Sequence, residues 1–502
     1  MMPFSLLQSV GLALFSWVLY LTIRSYTTRR RGKFLPLPPG PKGLPLIGNL
    51  FDVPKTQQWL TFIEMSQKYD SDIIYLNLAG DELVVLNSVA DVDALLEGKS
   101  AIYSDRPPFH MLNDLVGFQW HFGFMRYGPQ WKGECEHRKV FMQQFQPSAV
   151  LFNTIQDTLP MHSIRLNSMA GMVILSTAYG IDVLPENDPH IDISEKALQA
   201  MASTGNRGSY LVDSLPFLKY VPEFLPGAGF KRQAREWFEA VDAMPDVPYD
   251  FVKKARAAGT AKSSIASRVL DEIEEDLDSS EDQRREGELV LRNILGACYG
   301  ASLSAVLCPI LINSSIAAGA DTTVSALGTF ILAMTMYPEV QKKAQAAVDE
   351  VVGRSRLPDF NDDIPYIDAV VNEVLRWRPV TPLSLPHAVT EDDMYKGYRI
   401  PAGATVVGNA WAILHDTATF GPHTDQFIPE RWLMKDGKVN TAMRTPDAAF
   451  GFGRRICPGK DMAQWSIWIC AASILATFNI SKSLDENGVP IVPSGEYTSG
   501  LL

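Results

Sequence analysis

The sequence has few cysteines, and they are too far apart for a disulfide framework or a multi-cysteine metal site. Its 502 residues include 5 cysteines, which is an odd number, and no two of them form a C-x-x-C pair. This spacing argues against a zinc site, an iron–sulfur cluster and a fold held by disulfides. It favours a protein that works in a reducing compartment.

An excess of basic charge is also absent. The formal net charge is −12, which gives no support for nucleic-acid binding, because that function needs a basic face. No internal repeat is present. The segment that starts at Gly451 lacks the third glycine and the preceding strand of a dinucleotide-binding fingerprint. If the protein carries out redox chemistry, we therefore expect a separate protein to deliver the electrons.

What is present is one cysteine in a glycine-rich loop near the C-terminus. The stretch 450–459 reads FGFGRRICPG, and the apolar run after it predicts a helix from Asp461 to Phe478. Gly453 lets the backbone turn away from the sulfur of Cys457, and the start of the helix favours a thiolate. Arg455 is placed to bind an anionic group. A buried structural cysteine is the alternative, but an accidental match at this many fixed positions is rare.

The pattern Phe-x-x-Gly-x-Arg-x-Cys-x-Gly in this stretch resembles the haem-binding signature of the cytochrome P-450 family, the haem-thiolate monooxygenases. The resemblance implies a bound haem b with Cys457 as the axial thiolate ligand of the iron. It also implies that Phe450, Gly453 and Arg455 bind the haem, Arg455 through a propionate. It further implies the fold of the family, which is mainly α with a minor β portion in a single globular haem domain.

A second motif, from Ala318 to Thr323 (AGADTT), lies in a long apolar segment that predicts a helix. A threonine hydroxyl within a helix can bond back to an earlier carbonyl and open the helix locally. The resemblance implies that this motif lies over the iron and delivers protons for oxygen activation, with Asp321 and Thr322 as the catalytic pair. The alternative is a packing seam of small residues.

Opposite charges at Glu373 and Arg376 are spaced to meet on one helix face. The same spacing occurs at Glu281 and Arg284, but only the first pair lies among apolar residues, where an ion pair must be satisfied. The resemblance adds a second arginine, Arg431, from the segment 427–432 (FIPERW). We interpret these three residues as a structural lock beneath the haem loop and not as catalytic groups.

The resemblance also implies cationic or polar residues at the haem propionates. His387, directly after Pro386, is in the position of one such cation, although a lone histidine is more often a packed or surface residue. Trp131 and Arg138 are two further candidates. The family has its arginine four residues after the tryptophan, whereas here Arg138 comes three residues later. Seven residues still return to the same helix face, but the axial separation is then about 10 Å instead of about 6 Å.

The N-terminal segment predicts a membrane anchor. Phe4 to Ile23 carries no charge and is long enough to cross a bilayer, and the arginines that follow predict a cytosolic orientation of the chain after it. A cleaved signal peptide is the alternative. We therefore predict an anchor at 1–23, a basic and proline-rich linker at 24–46 that acts as a stiff spacer, and a monooxygenase domain at 47–502.

The rest of the chain predicts a mainly α-helical globule with small sheets. Ile73 to Leu78 and Leu83 to Leu86 predict a β-hairpin. From there to about Val348 the periodicity is mostly helical, and we interpret the acidic segment 271–288 as a solvated, mobile connector. Short strands return after Arg376.

Taken together, the motifs predict a single-pass protein of the endoplasmic reticulum membrane with a cytosolic catalytic domain. The expected reaction inserts one oxygen atom of O2 into a lipophilic organic substrate, with similarity to fungal enzymes of secondary metabolism. NADPH acts only indirectly, through NADPH-cytochrome P-450 reductase, and cytochrome b5 is a second candidate donor. Two alternatives are a haem-thiolate isomerase or dehydratase that uses no O2, and a non-enzymatic membrane protein with a further span at Ile294 to Ala320.

Two segments depart from the family pattern. Removing Ser302 to Ala318 would join Ala301 directly to Gly319 and so restore the family's AGADTT pattern. Removing three residues from Gly133 to Glu136 would put Arg138 four places after Trp131. Both look like retained introns or misplaced splice boundaries in a gene model, in which case this sequence describes an inactive product. Lineage-specific loops are the alternative, and the native transcript decides between the two.

Overall fold

The computed structural model describes residues 35–495 and Tyr497, apart from 46, 55, 130, 133–174, 185–187, 206–209, 277–278 and 301–320, and of Asp321 it describes the backbone only. The predicted anchor, Arg138 and both departing segments lie outside these residues. The chain divides into two compact units, Met1–Pro107 with Leu385–Ala412, and Pro108–Ser384 with Ile413–Leu502.

The first unit contains all of the described β-strands. They are β1 (Ile73–Leu78), β2 (Asp81–Leu86), β3 (His387–Ala388), β4 (Asp393–Tyr395), β5 (Tyr398–Ile400) and β6 (Thr405–Gly408). One sheet has the order β1-β2-β6-β3, in which only β2 and β6 run parallel, and β4 pairs with β5 as a separate hairpin. The predicted hairpin of β1 and β2 is confirmed.

Among the described residues of this unit, three helices accompany these strands: α1 (Gln58–Tyr69), α2 (Val89–Val92) and α3 (Ser100–Tyr103). The described half of the proline-rich segment also belongs to this unit. The carbonyl of Pro39 accepts from the N–H of Tyr75 at 2.8 Å, and that of Pro36 accepts from Arg399 at 2.8 Å. Since prolines lack an N–H but keep the carbonyl, this half lies against the strands and does not act as a spacer.

The remaining described α-helices belong to the second unit or lead into it. They are α4 (Pro189–Thr204), α5 (Leu211–Ser214), α6 (Gly229–Ala257), α7 (Ile265–Glu275), α8 (Glu281–Gly300), α9 (Asp321–Met336), α10 (Pro338–Val351), α11 (Pro365–Trp377), α12 (Ala410–Leu414), α13 (Thr417–Phe420) and α14 (Lys460–Thr477). The predicted fold class, mainly α with a minor β portion, is confirmed. Among the described helices, none has the length and apolar character needed to cross a bilayer.

The long helices of the second unit pack in two groups. In one group α6 packs against α4, α7 and α8, and in the other α14 packs against α9, α10 and α11. The central position of α14 follows from its sequence, because every residue from Ile467 to Ala472 is buried and a helix that is apolar all round must be covered on all sides. The helix that follows the cysteine loop is therefore held from several directions.

The acidic segment 271–288 is largely exposed to solvent where the structure describes it, as predicted, but it is not a continuous connector. Helix α7 extends to Glu275 and α8 begins at Glu281, so most of the segment is helical. Ser264 forms a capping box at the start of α7, and acidic residues in the first turn of α8 favour its positive end. Ile265 and Leu270 of α7 and Leu291 and Leu295 of α8 are buried while most of the charges stay in solvent, which is why a high charge count did not prevent helix formation.

Candidate active site

The cysteine loop consists of two short 3₁₀ turns, Asp447–Phe450 and Gly453–Arg455, followed by α14. Gly451 and Gly453 have φ values of 88° and 57°, in the left-handed region that glycine adopts at no steric cost. The N–H of Cys457 donates to the carbonyl of Phe450 at 2.9 Å, which closes the loop. The Cys457 thiol is half-buried and is not part of a disulfide.

The surroundings of Cys457 favour an anionic sulfur. The residue lies just before the N-terminus of α14, an 18-residue helix, where the helix dipole is positive and thiolates are stabilised. Cys470, which lies inside α14, has surroundings that disfavour an anionic sulfur. It is fully buried among apolar residues, and burial raises the pKa of its thiol to about 12. Of these two thiols, only that of Cys457 is in a place where it can act as a ligand.

Arg455 fixes the loop against a second segment of the same unit. Its guanidinium donates to the carbonyl of Phe122 at 3.0 Å and to that of Met125 at 2.8 Å. The same group lies 4.2 Å from the ring centroid of Trp131, which is buried. The structure thus brings two sequence-predicted residues, Arg455 and Trp131, into direct contact. It adds two backbone carbonyls that no sequence pattern indicates.

Glu373 is the centre of a buried charged cluster. It is fully buried, as is Arg376, whose Nε and Nη2 donate to its two carboxylate oxygens at 2.8 and 2.9 Å. Arg431 donates through Nε at 3.0 Å and Trp432 through Nε1 at 2.9 Å. The N–H of Ile428 is a fifth donor at 2.8 Å. The carboxylate is therefore saturated, as a buried charge requires.

The cluster also fixes the chain that surrounds it. Arg376 donates to the carbonyls of Leu414, Thr424 and Gln426. It thereby ties α11 to the irregular segment before the 3₁₀ turn Pro429–Trp432. By contrast, Glu281 pairs with Arg285 on the surface, where both side chains are more than two-thirds exposed. The sequence spacing set Glu281 against Arg284, whereas in the structure Arg284 donates to the carbonyl of Asp276. The exposed pair is thus a different one from the pair that the spacing indicated. Trp432 was missed, although it follows Arg431 directly.

His387 lies in the first unit, where it begins β3. It is buried, and its Nδ1 lies 2.7 Å from the carbonyl of Tyr103, so that this nitrogen carries the proton. The backbone just before it is held by Arg106, which donates to the carbonyls of Leu385 and Pro386 at 3.0 and 2.7 Å. Burial lowers the pKa of Arg106 to about 10. Sequence reasoning missed this buried cation.

Asp321 and Thr322 are the first two described residues of α9. Thr322 is half-buried. The preceding part of the motif, Ala318 to Ala320, and the side chain of Asp321 lie outside the described residues. The predicted local opening of the helix therefore stays a prediction.

The donor set of the second unit fits a haem with an axial thiolate. Cys457 places a free thiol just before a helix N-terminus, where it would supply the thiolate. Arg455 is a positioned cation, and Trp131 provides an apolar face beside it. Gly451 and Gly453, both with positive φ, form the turns of the loop before Cys457 and have no side chain that could fill the space beside it. This combination matches the requirements of a thiolate-ligated iron porphyrin with anionic substituents.

Comparison with known proteins gives the same assignment. The family model described as cytochrome P-450 matches residues 38–495. The chain is 41% identical over 493 residues to cytochrome P-450 monooxygenase 98 of Postia placenta, covering 95% of this chain and 89% of that protein. It is 38% identical over 495 residues to tryptamine 4-monooxygenase of Psilocybe cyanescens, covering 95% and 92%. The chain therefore belongs to the cytochrome P-450 family, the haem-thiolate monooxygenases.

Proposed function

We propose that Cys457 is the axial ligand of haem b in a monooxygenase that acts on a lipophilic small molecule. The observation that carries the proposal is the closed loop before α14, which presents a half-buried thiol at the positive end of a long helix. In the overall reaction, substrate, O2, NADPH and a proton give the hydroxylated product, NADP⁺ and water. Haem supplies the redox chemistry, and the electrons reach it from NADPH-cytochrome P-450 reductase, with cytochrome b5 as a second candidate donor.

The protein groups around the haem would bind and orient it. Arg455 and Trp131 support each other in contact, and we propose that they bind a propionate together with Arg138. For His387 the support is its position directly after Pro386, where the family pattern has a cation. Phe450 and Gly453 would shape the loop itself. Glu373, Arg376 and Arg431 would act as the lock that holds the surrounding chain.

Asp321 and Thr322 would deliver protons at the start of α9. Replacing Thr322 with alanine should raise the peroxide formed per NADPH consumed severalfold, while NADPH consumption continues, because general acid–base groups of this kind contribute large rate factors to the step they serve. Thr323→Ala is the matched control, since the next helix residue points about 100° away. Equal peroxide ratios in Thr322→Ala and wild type would remove Thr322 from the mechanism.

We further propose that residues 1–23 anchor the protein in the endoplasmic reticulum membrane, with 47–502 as the cytosolic domain. The charge-free run from Phe4 to Ile23 supports this. Deleting residues 2–23 should move the protein from the membrane pellet to the supernatant and leave haem binding intact. A truncated chain that is soluble but never binds haem would show that the boundary is wrong.

The substrate class is proposed from the relatives and the fold. The two relatives named above are fungal proteins, and one of them is named for its action on tryptamine. A role in fungal secondary metabolism is the function that fits these similarities best.

The experiment that tests the proposal is the carbon monoxide difference spectrum of the reduced protein, followed by reconstitution with a reductase. We expect a thiolate-type band and oxygen consumption that depends on NADPH. A haem protein with a histidine-type band, or one that consumes no oxygen, would contradict it.

A further inference from the structure

A cavity of about 340 Å³ lies in the second unit, beside the first turn of α4 and the last two turns of α6. Its lining residues come from the segments 179–184, 188–190, 251–255 and 260–262. This volume is within the range of pockets that hold small organic ligands, about 300–1,000 Å³. None of the lining residues belongs to the cysteine loop or to the residues that contact Arg455. The proposed haem site therefore does not account for this cavity.

The lining of the cavity is mainly apolar and includes aromatic rings. Leu184 and Phe251 both line it, and they are 56% and 47% exposed. Covering a side chain of this kind is worth about 1.5–3 kcal/mol relative to leaving it exposed. The ring of His190 packs edge-on against that of Phe251, with the centroids 6.2 Å apart. Rings arranged in this way next to an aliphatic side chain favour a flat aromatic ligand.

The charged groups in the lining are already paired. The buried carboxylate of Asp188 accepts from three backbone N–H groups of the segment 184–191 at 2.8 to 3.3 Å. Asp182 forms an exposed ion pair with Lys262. Burial lowers the pKa of His190 below its usual value, so that the imidazole is neutral at neutral pH. An ionic ligand would find no unpaired countercharge among these groups, and a neutral ligand is favoured.

Two residues of the lining are supported by α8. Tyr299, near the end of that helix, is fully buried, and its hydroxyl donates to the carbonyl of His190. The ring of Tyr299 also packs edge-on against that of Tyr179, with the centroids 6.0 Å apart. Tyr179 and His190 both line the cavity, whereas Tyr299 does not. Because these residues are held from outside the cavity, a ligand meets a preformed site and loses little affinity in ordering it.

We propose that this cavity binds a neutral, flat aromatic molecule at a second site, separate from the haem. The inference goes beyond the proposed monooxygenase function and does not depend on it. A cavity that holds only water is the competing explanation.

Equilibrium dialysis of the haem-loaded protein tests the proposal, with the iron saturated by clotrimazole so that the haem site is closed to the probes. The probes are 2-naphthol, 2-naphthoate and 2-naphthylmethylammonium at pH 7, which share one ring system and differ in charge. We expect 2-naphthol to bind at one site. The two charged probes should bind about tenfold more weakly, because neither finds an unpaired countercharge.

Ala255→Leu locates the site, because Ala255 lines the cavity and a larger side chain there fills part of it. The dissociation constant of 2-naphthol should rise about tenfold in this variant. Ala257→Leu makes the same substitution two residues later at an exposed position outside the lining, and it should bind like the wild type. If Ala255→Leu does not load haem, Ala261→Leu serves instead, since Ala261 lines the cavity from the loop after α6.

Three results would overturn the proposal. They are a wild type that binds none of the probes, charged probes that bind as tightly as 2-naphthol, and an unchanged dissociation constant in the variant with the filled cavity. Failure of the monooxygenase function is distinguishable, since it would abolish the thiolate-type band of the wild type and the spectral shift caused by clotrimazole. The comparison of Ala255→Leu with Ala257→Leu would still report on the cavity.

Discussion

Replacing Cys457 with alanine should abolish the thiolate-type carbon monoxide band of the reduced protein completely. The reason is that the sulfur lies at the end of a loop closed by the Cys457–Phe450 hydrogen bond, just before the positive end of α14. Alanine preserves the backbone and the loop but has no ligand atom. The measurement is the difference spectrum at equal protein concentration, together with the haem content of the purified variant.

Cys470→Ala is the matched control for this experiment. Cys470 lies inside α14, the helix that follows Cys457. It is fully buried, and burial raises its thiol pKa to about 12, so it stays protonated at neutral pH. We expect this variant to keep the band. If Cys457→Ala kept the thiolate-type band while Cys470→Ala lost it, the assignment of the ligand would be wrong.

Replacing Glu373 with glutamine should destabilise the second unit by about 3–5 kcal/mol, because it leaves two buried arginines without their countercharge. Glutamine has nearly the same volume, but its amide would point donors at Arg376, Arg431 or Trp432, which are donors themselves. The midpoint for thermal loss of the carbon monoxide band should fall by roughly 5–10 °C. That midpoint is the quantity to compare, since a cofactor-bound chain does not unfold in two states.

The surface pair of Glu281 and Arg285 provides the control for Glu373. The two side chains are in contact but largely exposed, and exposed ion pairs contribute little because water and salt screen them. Glu281→Gln should therefore leave the midpoint where it is in the wild type. Equal midpoints for Glu373→Gln and Glu281→Gln would contradict a structural role for the buried cluster.

Residues close together in the sequence were the easiest to predict. The cysteine loop and the pair of Glu373 and Arg376 depend on contacts within a few residues, so their spacing alone indicates them. The hairpin of β1 and β2 was predictable for the same reason, since its strands adjoin in the chain. The acidic segment 271–288 was not, because charge count says nothing about a capping box at Ser264 or about which helix face is buried.

The sequence by itself determined the family, the thiolate candidate Cys457 and the mainly helical fold, because these depend on residue type and local spacing. Only the tertiary structure decided that Arg455 donates to Phe122 and Met125, and that Trp120 lies on Gly296. The partners in these contacts are far apart in the chain, and they are backbone carbonyls in one case and a glycine in the other. Every residue has a carbonyl, and a glycine needed for close approach looks like any other glycine, so these contacts follow from how the helices pack and have no signal in the sequence.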